Sequence, residues 1–389
     1  MSRRRILAVA DSDSYVKWAA ATLDGLAGDA SLVVLDSPVL PTAGQVDAAT
    51  AGTRLAGSTP PVLRLSQLRR MLRRTPPDVL LVATTGPAAE LVLRAVAGIW
   101  PRPLVVTGLP GMSLPATELA LRYRSTADLF VVHSHREADE FRSLATRLGL
   151  PMRFVVNRLP FLAPRARDER TTDTSPLTRV VFTPQAKFPE TRDDRLRILR
   201  ALGTLATSRP DVDVVVKLRG LAGQAQTHRE ELPFDVLAAR HRSDPGVADV
   251  QIATGPLREF LTPGTALVTV SSTAVLEALA LGLRALVLDD FGVGEHNLTA
   301  AYVGSGLLGS LHDLVQVRFR HPDPEWLASN YLHDDPDELE GAARTSPSTP
   351  VGRPSRVGTP AAHARRRLRL AAPRLTRELS RRRDSPSRP

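Results

Sequence analysis

The residues with the clearest chemical potential lie in one stretch, where Ser271, Ser272 and Thr273 follow the apolar run 266–270. Hydroxyl groups at the start of a helix, together with its free backbone N–H groups, are suited to holding a phosphate. Glu277 lies four residues after Thr273, one helical turn further on, and faces the same side. Such a turn beside a carboxylate could hold both the phosphates and the ribose of a nucleotide. Ser and Thr are also ordinary helix N-caps, and that alternative stays open.

A second apolar run, 285–288, follows this helix, so the segment is predicted to be a βαβ crossover. Both strands then end at the carboxyl edge of a parallel sheet, where open α/β folds bind ligands. Cations after the run 212–216 could pair with a pyrophosphate, although plain surface exposure is the alternative. The further candidates at strand ends of this half are Gln185, Lys187, Lys217 and Arg219, and Glu295, His296 and Asn297 are candidates in a loop or at a helix start.

The first half of the chain also alternates apolar runs with helical segments and places polar groups at its strand ends. Asp11 and Asp13 follow the run 6–10, and His133 follows the run 129–132. Carboxylates and imidazoles at such positions are candidates for moving a proton. Residues 11–13 have the DxD form of a metal site, but carboxylates at a helix start are common dipole partners, so we predict no metal. For His133, a helix-capping turn is the alternative.

Glycine and proline dominate the loop 108–112, which follows the apolar run 103–107 and cannot form regular structure. Gly108 and Gly111 could let a ligand approach the backbone there. A tight turn without a ligand is the alternative.

Length and composition predict two domains, a linker between them and a basic tail. Its 389 residues exceed one ordinary core, and the charged, aperiodic segment 162–178 predicts a linker between domains 1–161 and 179–340. Residues 341–389 are too polar to form a core and are predicted to be disordered. This tail holds 13 Arg against one Glu and one Asp, a net charge of +11, so the total of +10 leaves −1 for residues 1–340. The basic balance therefore gives no reason to predict nucleic-acid binding.

Residues 361–383 of the tail could form a basic amphipathic helix on an anionic membrane, interrupted by Pro373, or remain a solvated tail. No apolar run is long enough for a transmembrane helix, and the run 6–10 predicts a first strand rather than a signal peptide. Cysteine is absent, which excludes disulfides and thiolate chemistry. We predict a cytoplasmic protein that could contact the inner face of the membrane through its tail.

Three segments resemble an actinobacterial family of GT-B-type glycosyltransferases: ILAVADSDSYVKWAA, FTPQAKFPETRDDR and VTVSSTAVLEALALGLRALVLDDFGVGEHN. The likeness covers roughly residues 5–335. It implies an α/β, GT-B-like fold with two Rossmann-like domains facing a cleft, the first for the acceptor and the second for a nucleotide-sugar donor. More distantly, the hydroxyl turn, the following Glu277 and the Lys-bearing strand are similar to the donor domains of capsule, teichoic-acid and polysialic-acid transferases and to UDP-sugar 2-epimerases.

The resemblance implies that the hydroxyl turn 271–273 holds the donor phosphates and that Glu277 binds the ribose, with Lys217 and Gln185 nearby. Several of those transferases have His-Pro after the basic residue of the equivalent strand, where this chain has Leu218-Arg219-Gly220. Either Arg219 replaces that histidine or the donor differs. For an inverting transfer the base would be Asp11 or Asp13, with His133 next, and cations rather than a metal would stabilise the leaving diphosphate.

The implied activity is metal-independent transfer of a sugar from a nucleotide-sugar to a cell-envelope or capsular glycan, or to a lipid-linked acceptor, without a cofactor. A non-hydrolysing nucleotide-sugar 2-epimerase is one alternative, but it would need several acid/base groups around one sugar, and the first half offers few. A CDP-polyol phosphotransferase would differ in its donor alone. A non-catalytic scaffold that binds partners through the tail is an alternative of another class.

Overall fold

The computed structural model describes residues 3–160, 162, 172–185, 187–222, 232–346 and 357–371. The chain forms two compact units, one of Met1–Phe161 with Asp335–Pro389 and one of Leu162–Asp334. Within the described ranges, no helix is both long and apolar enough to cross a membrane. The predicted linker residues 163–171 and the tail residues 347–356 and 372–389 lie outside the described residues.

The first unit is built on a seven-stranded parallel sheet in the order β3-β2-β1-β4-β5-β6-β7. Its strands are β1 (Arg5–Ala10), β2 (Asp29–Leu35), β3 (Val62–Leu63), β4 (Val79–Ala83), β5 (Leu104–Gly108), β6 (Leu129–Val132) and β7 (Arg153–Val156). Its helices are α1 (Asp13–Asp24), α2 (Ala43–Thr50), α3 (Leu65–Arg74), α4 (Gly86–Val96), α5 (Glu118–Arg122) and α6 (His135–Arg147), joined after the second unit by α12 (Leu339–Thr345) and α13 (Pro360–Ala371).

Both faces of this sheet are covered, which is why its central strands are apolar throughout. On one face, alternate residues of β1 and β4 pack with α1 and with Leu339, Ala342 and Ala343 of α12. On the other face, the intervening strand residues pack with α3, α4 and Leu370 of α13. The period of two along each strand thus divides the core into two layers.

The second unit is a six-stranded parallel sheet in the order β10-β9-β8-β11-β12-β13. Its strands are β8 (Arg179–Phe182), β9 (Asp213–Lys217), β10 (Gln251–Ala253), β11 (Thr265–Thr269), β12 (Arg284–Leu288) and β13 (Leu308–Gly309). Its helices are α7 (Arg192–Ser208), α8 (Phe234–Arg240), α9 (Ala274–Ala280), α10 (Leu311–Val315) and α11 (Pro324–Ser329). The predicted α/β fold with two Rossmann-like halves is confirmed.

The chain re-enters the first unit at Asp335, before the boundary at residue 340 that the sequence predicts. Glu338 secures this return, since its carboxylate accepts a hydrogen bond of 2.8 Å from the N–H of Val156 in β7. Residues 341–346 and 357–371, which composition assigned to a disordered tail, contain most of α12 and all of α13. Their order depends on packing against the first unit, a tertiary effect that composition does not contain.

Candidate functional site

The second unit has a topological switch point between β8 and β11. These strands are neighbours, but the chain leaves β8 toward β9 on one side and leaves β11 toward β12 on the other. The connections after the two strands therefore diverge at their carboxyl ends, and doubly wound sheets bind ligands at such a point. Thr183 follows β8, and Ser271 follows β11 after one further residue.

Two hydroxyl groups at this switch point are buried without a partner. The side chains of Thr183 and Ser271 are each 6% exposed, and neither Oγ atom has a hydrogen-bond partner among the residues that the structure describes. Their neighbours are satisfied, since the Thr269 hydroxyl donates to the Thr183 carbonyl at 2.8 Å and accepts from the Ser272 N–H at 3.0 Å. Burying an unpaired hydroxyl costs free energy. The pair is consistent with a site that a polar ligand completes.

The three residues of the predicted hydroxyl turn, 271–273, have different roles. Ser272 is a local cap, because its Oγ accepts a hydrogen bond of 3.3 Å from the N–H of Ala274, the first residue of α9. Tyr302 donates a further hydrogen bond of 3.3 Å to the Ser272 carbonyl. Thr273 is half-buried and its side chain makes no capping bond. The capping alternative therefore holds for Ser272, while Ser271 retains an uncommitted hydroxyl.

Lys217 ends β9, the strand that pairs with β8, and is only 9% exposed. Burial lowers its pKa, the charge of Arg219 lowers it further, and the carboxylates of Glu277 and Glu259 raise it. The negative charge of Glu277 thus acts on the Lys217 ammonium group. The Lys217 Nζ donates to the Leu218 carbonyl at 2.8 Å, whereas Arg219 is exposed.

The loops after β8 and β12 hold the remaining candidates. Gln185 closes its own turn, because its side-chain carbonyl accepts from the backbone N–H groups of Lys187 and Phe188. The His296 ring meets the Phe188 ring edge to face, with centroids 5.1 Å apart, which joins the two loops. Asn297 donates to the Gly292 carbonyl at 2.9 Å and so stabilises its own loop. Lys187 and Glu295 are exposed.

The first unit has its own switch point, between β1 and β4, and Asp11 spans it. The Asp11 carboxylate accepts hydrogen bonds from the Thr85 N–H at 2.9 Å and from the Thr85 hydroxyl at 2.5 Å. Asp11 is fully buried, and burial raises its pKa to about 6 against the opposing effects of the Thr85 hydrogen bonds and the Arg124 charge. The buried Arg124 donates to Tyr15 at 2.8 Å and to the Thr84 carbonyl at 2.7 Å.

Asp13 differs from Asp11 in its access to solvent. It is the first residue of α1 and is half-buried, and the neighbouring Ser14 hydroxyl donates to its carboxylate at 3.4 Å. A group that accepts a proton from a bound molecule must be reachable by that molecule. Of the two carboxylates, only Asp13 is reachable in this structure.

His133 lies in the core of the first unit and is 1% exposed. Its Nε2 accepts from the Trp18 indole at 3.0 Å, and its Nδ1 lies 2.8 Å from the Asn157 carbonyl, to which an Nδ1–H donates. Both ring nitrogens are thereby engaged with groups of the fold. Gly108 belongs to the same packing, because an added Cβ would lie 2.7 Å from the Trp18 ring. Gly111 is half-buried, and its carbonyl accepts a 3.0 Å hydrogen bond from Ser113.

Sequence reasoning missed Thr183, Thr85 and Arg124. A hydroxyl close after each apolar run was visible for both threonines, but only the strand order marks them as switch-point residues. Arg124 lies between α5 and β6 with no local pattern to indicate that its guanidinium is buried.

Two doubly wound parallel sheets in one chain, each with polar groups at its switch point, define a protein of the GT-B-like class. The chain belongs to the family described as "Putative glycosyltransferase (DUF6716)", whose model matches residues 6–345. The predicted resemblance is therefore confirmed, and the protein belongs to a family associated with glycosyl transfer.

Solved structures share this fold at low sequence identity. S. aureus MnaA, in a co-structure with UDP, is 14% identical over 96% of this chain and 97% of its own, with a TM-score of 0.54. A UDP-N-acetylglucosamine 2-epimerase is 15% identical over 100% of this chain and 99% of its own, with a TM-score of 0.53. No curated protein is detectably similar in sequence. At these identities the likeness concerns the fold.

Proposed function

We propose that this protein transfers a sugar from a nucleotide-sugar donor to a glycan acceptor of the cell envelope or capsule, and that its second unit holds the donor. The observation that carries the proposal is the pair of buried, unpartnered hydroxyls of Thr183 and Ser271 at the switch point of the described second unit. The same unit holds Lys217 and Glu277, whose charges interact. Hydroxyls, an ammonium group and a carboxylate together match the phosphates and the ribose of a nucleotide.

Each group has a distinct role in this proposal. Thr183 and Ser271 donate their hydroxyl protons to phosphate oxygens, assisted by the half-buried Thr273. Lys217 neutralises the diphosphate, and Glu277 accepts hydrogen bonds from the ribose hydroxyls. Arg219 and Lys187 are the exposed cations that could close over the diphosphate. The surrounding loops are shaped by Gln185, Glu295, His296 and Asn297.

The chemistry needs a base and a stabilised leaving group. The acceptor hydroxyl oxygen forms a bond to the anomeric carbon, the bond from that carbon to the diphosphate oxygen breaks, and the hydroxyl proton passes to a base. The cation of Lys217 stabilises the diphosphate that leaves, without a metal ion. We assign the base to Asp13 of the first unit because it is only half-buried, and we assign Asp11 and His133 positioning roles because they are buried.

A thermal-shift measurement tests the donor site on the full chain. We expect one nucleoside diphosphate among UDP, CDP, GDP and TDP to raise the melting temperature, because a ligand that binds the folded state stabilises it by ~2.7 kcal/mol at 100 times its Kd. Ser271→Ala and Glu277→Ala should reduce the shift. Ser329→Ala, an exposed substitution on α11, is the control that should leave it unchanged. Shifts that are equal in all variants would locate the nucleotide elsewhere.

Product analysis tests the reaction. With the nucleotide-sugar that binds, we expect release of the nucleoside diphosphate only when an acceptor glycan is present, and a loss of kcat of about 100-fold or more in Asp13→Asn. A nucleotide-sugar that changes its sugar stereochemistry without an acceptor would instead identify an epimerase. Transfer of a polyol phosphate with release of CMP would identify a phosphotransferase. Binding without turnover of any donor would favour the scaffold alternative.

A further inference from the structure

Three helices on one face of the first unit carry many arginines and, among their described residues, no exposed carboxylate. Helices α3, α4 and α13 cover the same face of the seven-stranded sheet, because Leu68 of α3, Val92 of α4 and Leu370 of α13 belong to one hydrophobic cluster. Both α3 and α13 pack against α4. The three helices therefore form a continuous layer.

Helix α13 is fixed in this layer by polar contacts to one buried carboxylate. Glu90 of α4 is fully buried, its Oε1 lies 2.8 Å from the His363 Nδ1, and its Oε2 accepts from the Arg366 guanidinium at 3.0 Å. The same guanidinium lies 5.6 Å from the centroid of the Tyr123 ring. These contacts orient the helix, and its remaining arginines are exposed to solvent.

The outer side of the layer consequently has a single sign of charge. Glu90 is the only carboxylate in the sequences of α3, α4 and α13, and it is buried between the helices and paired there. The exposed arginines of this basic face are Arg64, Arg69, Arg70, Arg73, Arg74, Arg365, Arg367 and Arg369. Within the described part of the chain, none of these eight side chains forms an ion pair.

Other exposed helices of the protein balance their charges. On α6, Arg142 lies 3.1 Å from Asp139, and on α7, Arg197 lies 3.1 Å from Asp194. An ordinary solvated helix surface mixes the two signs in this way. The uncompensated charge of the basic face attracts a polyanionic partner.

Two exposed large apolar side chains belong to or directly follow the helices of this layer. Leu368 of α13 is 67% exposed, and Trp100, which follows α4, is 86% exposed. Trp100 directly follows Ile99, a member of the same hydrophobic cluster as Leu370. Exposed arginine, tryptophan and leucine side chains together are the combination that binds at the boundary between lipid headgroups and acyl chains.

We propose that the basic face docks on an anionic lipid bilayer, with its arginines on the lipid phosphates and with Trp100 and Leu368 in the interfacial region. This proposal assigns the membrane contact to a folded surface shared by α3 and α13, and it stands independently of the proposed transferase activity. Nucleic acid is the less suitable polyanion, since the arginine rows of these helices carry no interleaved aromatic side chains for bases to stack on.

Intrinsic fluorescence of the full chain is a direct test. The chain has three tryptophans, of which Trp18 and Trp326 are 0% and 5% exposed, so a change in emission on binding reports Trp100. We expect a blue shift when vesicles of equal parts phosphatidylglycerol and phosphatidylcholine are added at low salt. The shift should be absent with pure phosphatidylcholine vesicles and in Trp100→Phe. A full shift in Trp100→Phe would overturn the assignment.

Vesicle sedimentation with charge variants completes the test. Arg365, Arg367 and Arg369 replaced together by Gln should weaken binding on the order of 100-fold, since each arginine near an anionic surface contributes a factor of about 5. The matched control replaces the exposed Arg147, Arg240 and Arg242 by Gln, which removes the same charge from residues outside the basic face. At physiological salt this control should change binding less than about threefold, because charges that do not contact the lipid are then screened. Equal losses in both triple variants would overturn the proposal, as would binding to a DNA duplex but not to the vesicles.

Discussion

The buried carboxylate of Asp11 lowers the stability of the first unit, and replacing Asp11 by Asn should raise that stability. Burial raises the pKa of Asp11 from 3.8 to about 6, so the folded state binds this proton more tightly than the unfolded state does. Between these two values the folded state carries more protons, and stability therefore falls as the pH rises through this window. Above it the loss is constant at about 3 kcal/mol, since each pKa unit corresponds to about 1.4 kcal/mol.

The variant Asp11→Asn keeps both hydrogen bonds to Thr85, because the new amide oxygen can accept from the Thr85 N–H and the new NH2 group can donate to the Thr85 hydroxyl. An amide cannot ionise, so the variant resembles the protonated acid. We expect the substitution to raise the free energy of unfolding by ~2–3 kcal/mol at pH 8 and by little at pH 4.

Native-state hydrogen exchange, measured by mass spectrometry, reports the change in stability for the first unit alone. Peptides that cover β1 and β4 report the opening free energy of the first unit, so unfolding of the second unit does not enter the comparison. Asp47→Asn, at an exposed position of α2, is the control. A difference between wild type and Asp11→Asn that stays constant from pH 4 to pH 8 would refute the burial argument, and so would a destabilised variant at pH 8.

Four further outcomes are expected. Ser271→Ala should stabilise the ligand-free protein by up to ~1 kcal/mol, since it removes an unpaired buried hydroxyl of the described site. Ser272→Ala should instead destabilise the protein by ~1 kcal/mol, since it removes a helix cap. Thermal unfolding of the two variants distinguishes these opposite changes in stability. Lys217→Met should lower kcat by roughly 100-fold in a donor-turnover assay, because the leaving diphosphate loses a cation. Gly108→Ala should lower the free energy of unfolding by ~1–3 kcal/mol, and with it the melting temperature, because the new Cβ would lie 2.7 Å from the Trp18 ring. Gly98→Ala is the neutral control, since no described atom lies within 4 Å of a Cβ added there. His133→Asn should destabilise the first unit by ~1–3 kcal/mol through the unpaired Trp18 indole, with kcat per folded molecule retained; a lost kcat in a stable variant would return His133 to the catalytic candidates.

The fold could be predicted where local patterns decide it. The apolar run 266–270 predicted β11, found at Thr265–Thr269, and the helical segment 274–281 predicted α9, found at Ala274–Ala280. In both cases burial on two faces requires an uninterrupted apolar sequence, which is visible in one dimension. The turn 271–273 between them was predicted because its three hydroxyl residues interrupt the apolar sequence.

The candidate site could be predicted only in part, because its organisation depends on strand order. Nothing near Thr183 in the sequence indicates that β8 and β11 are neighbours, and the Thr269 hydroxyl that joins them comes 86 residues later. His133 and Gly108 were predicted at a ligand site because they end strands, but the Trp18 indole, 115 residues before His133, occupies that space. Helix α13 owes its place to Glu90, which is 273 residues earlier than His363.

The interruption of the first unit by Leu162–Asp334 has a consequence for synthesis. During translation the second unit emerges complete, while the first still lacks α12 and α13. Until Leu339, Ala342 and Ala343 arrive, one layer of its sheet is only partly covered, and until His363 and Arg366 arrive, the Glu90 carboxylate has no cation from α13. A nascent chain of this protein therefore passes through a stage in which its second unit is complete before its first, and a chain that stopped at Asp334 would lack the two helices that cover the sheet of the first unit.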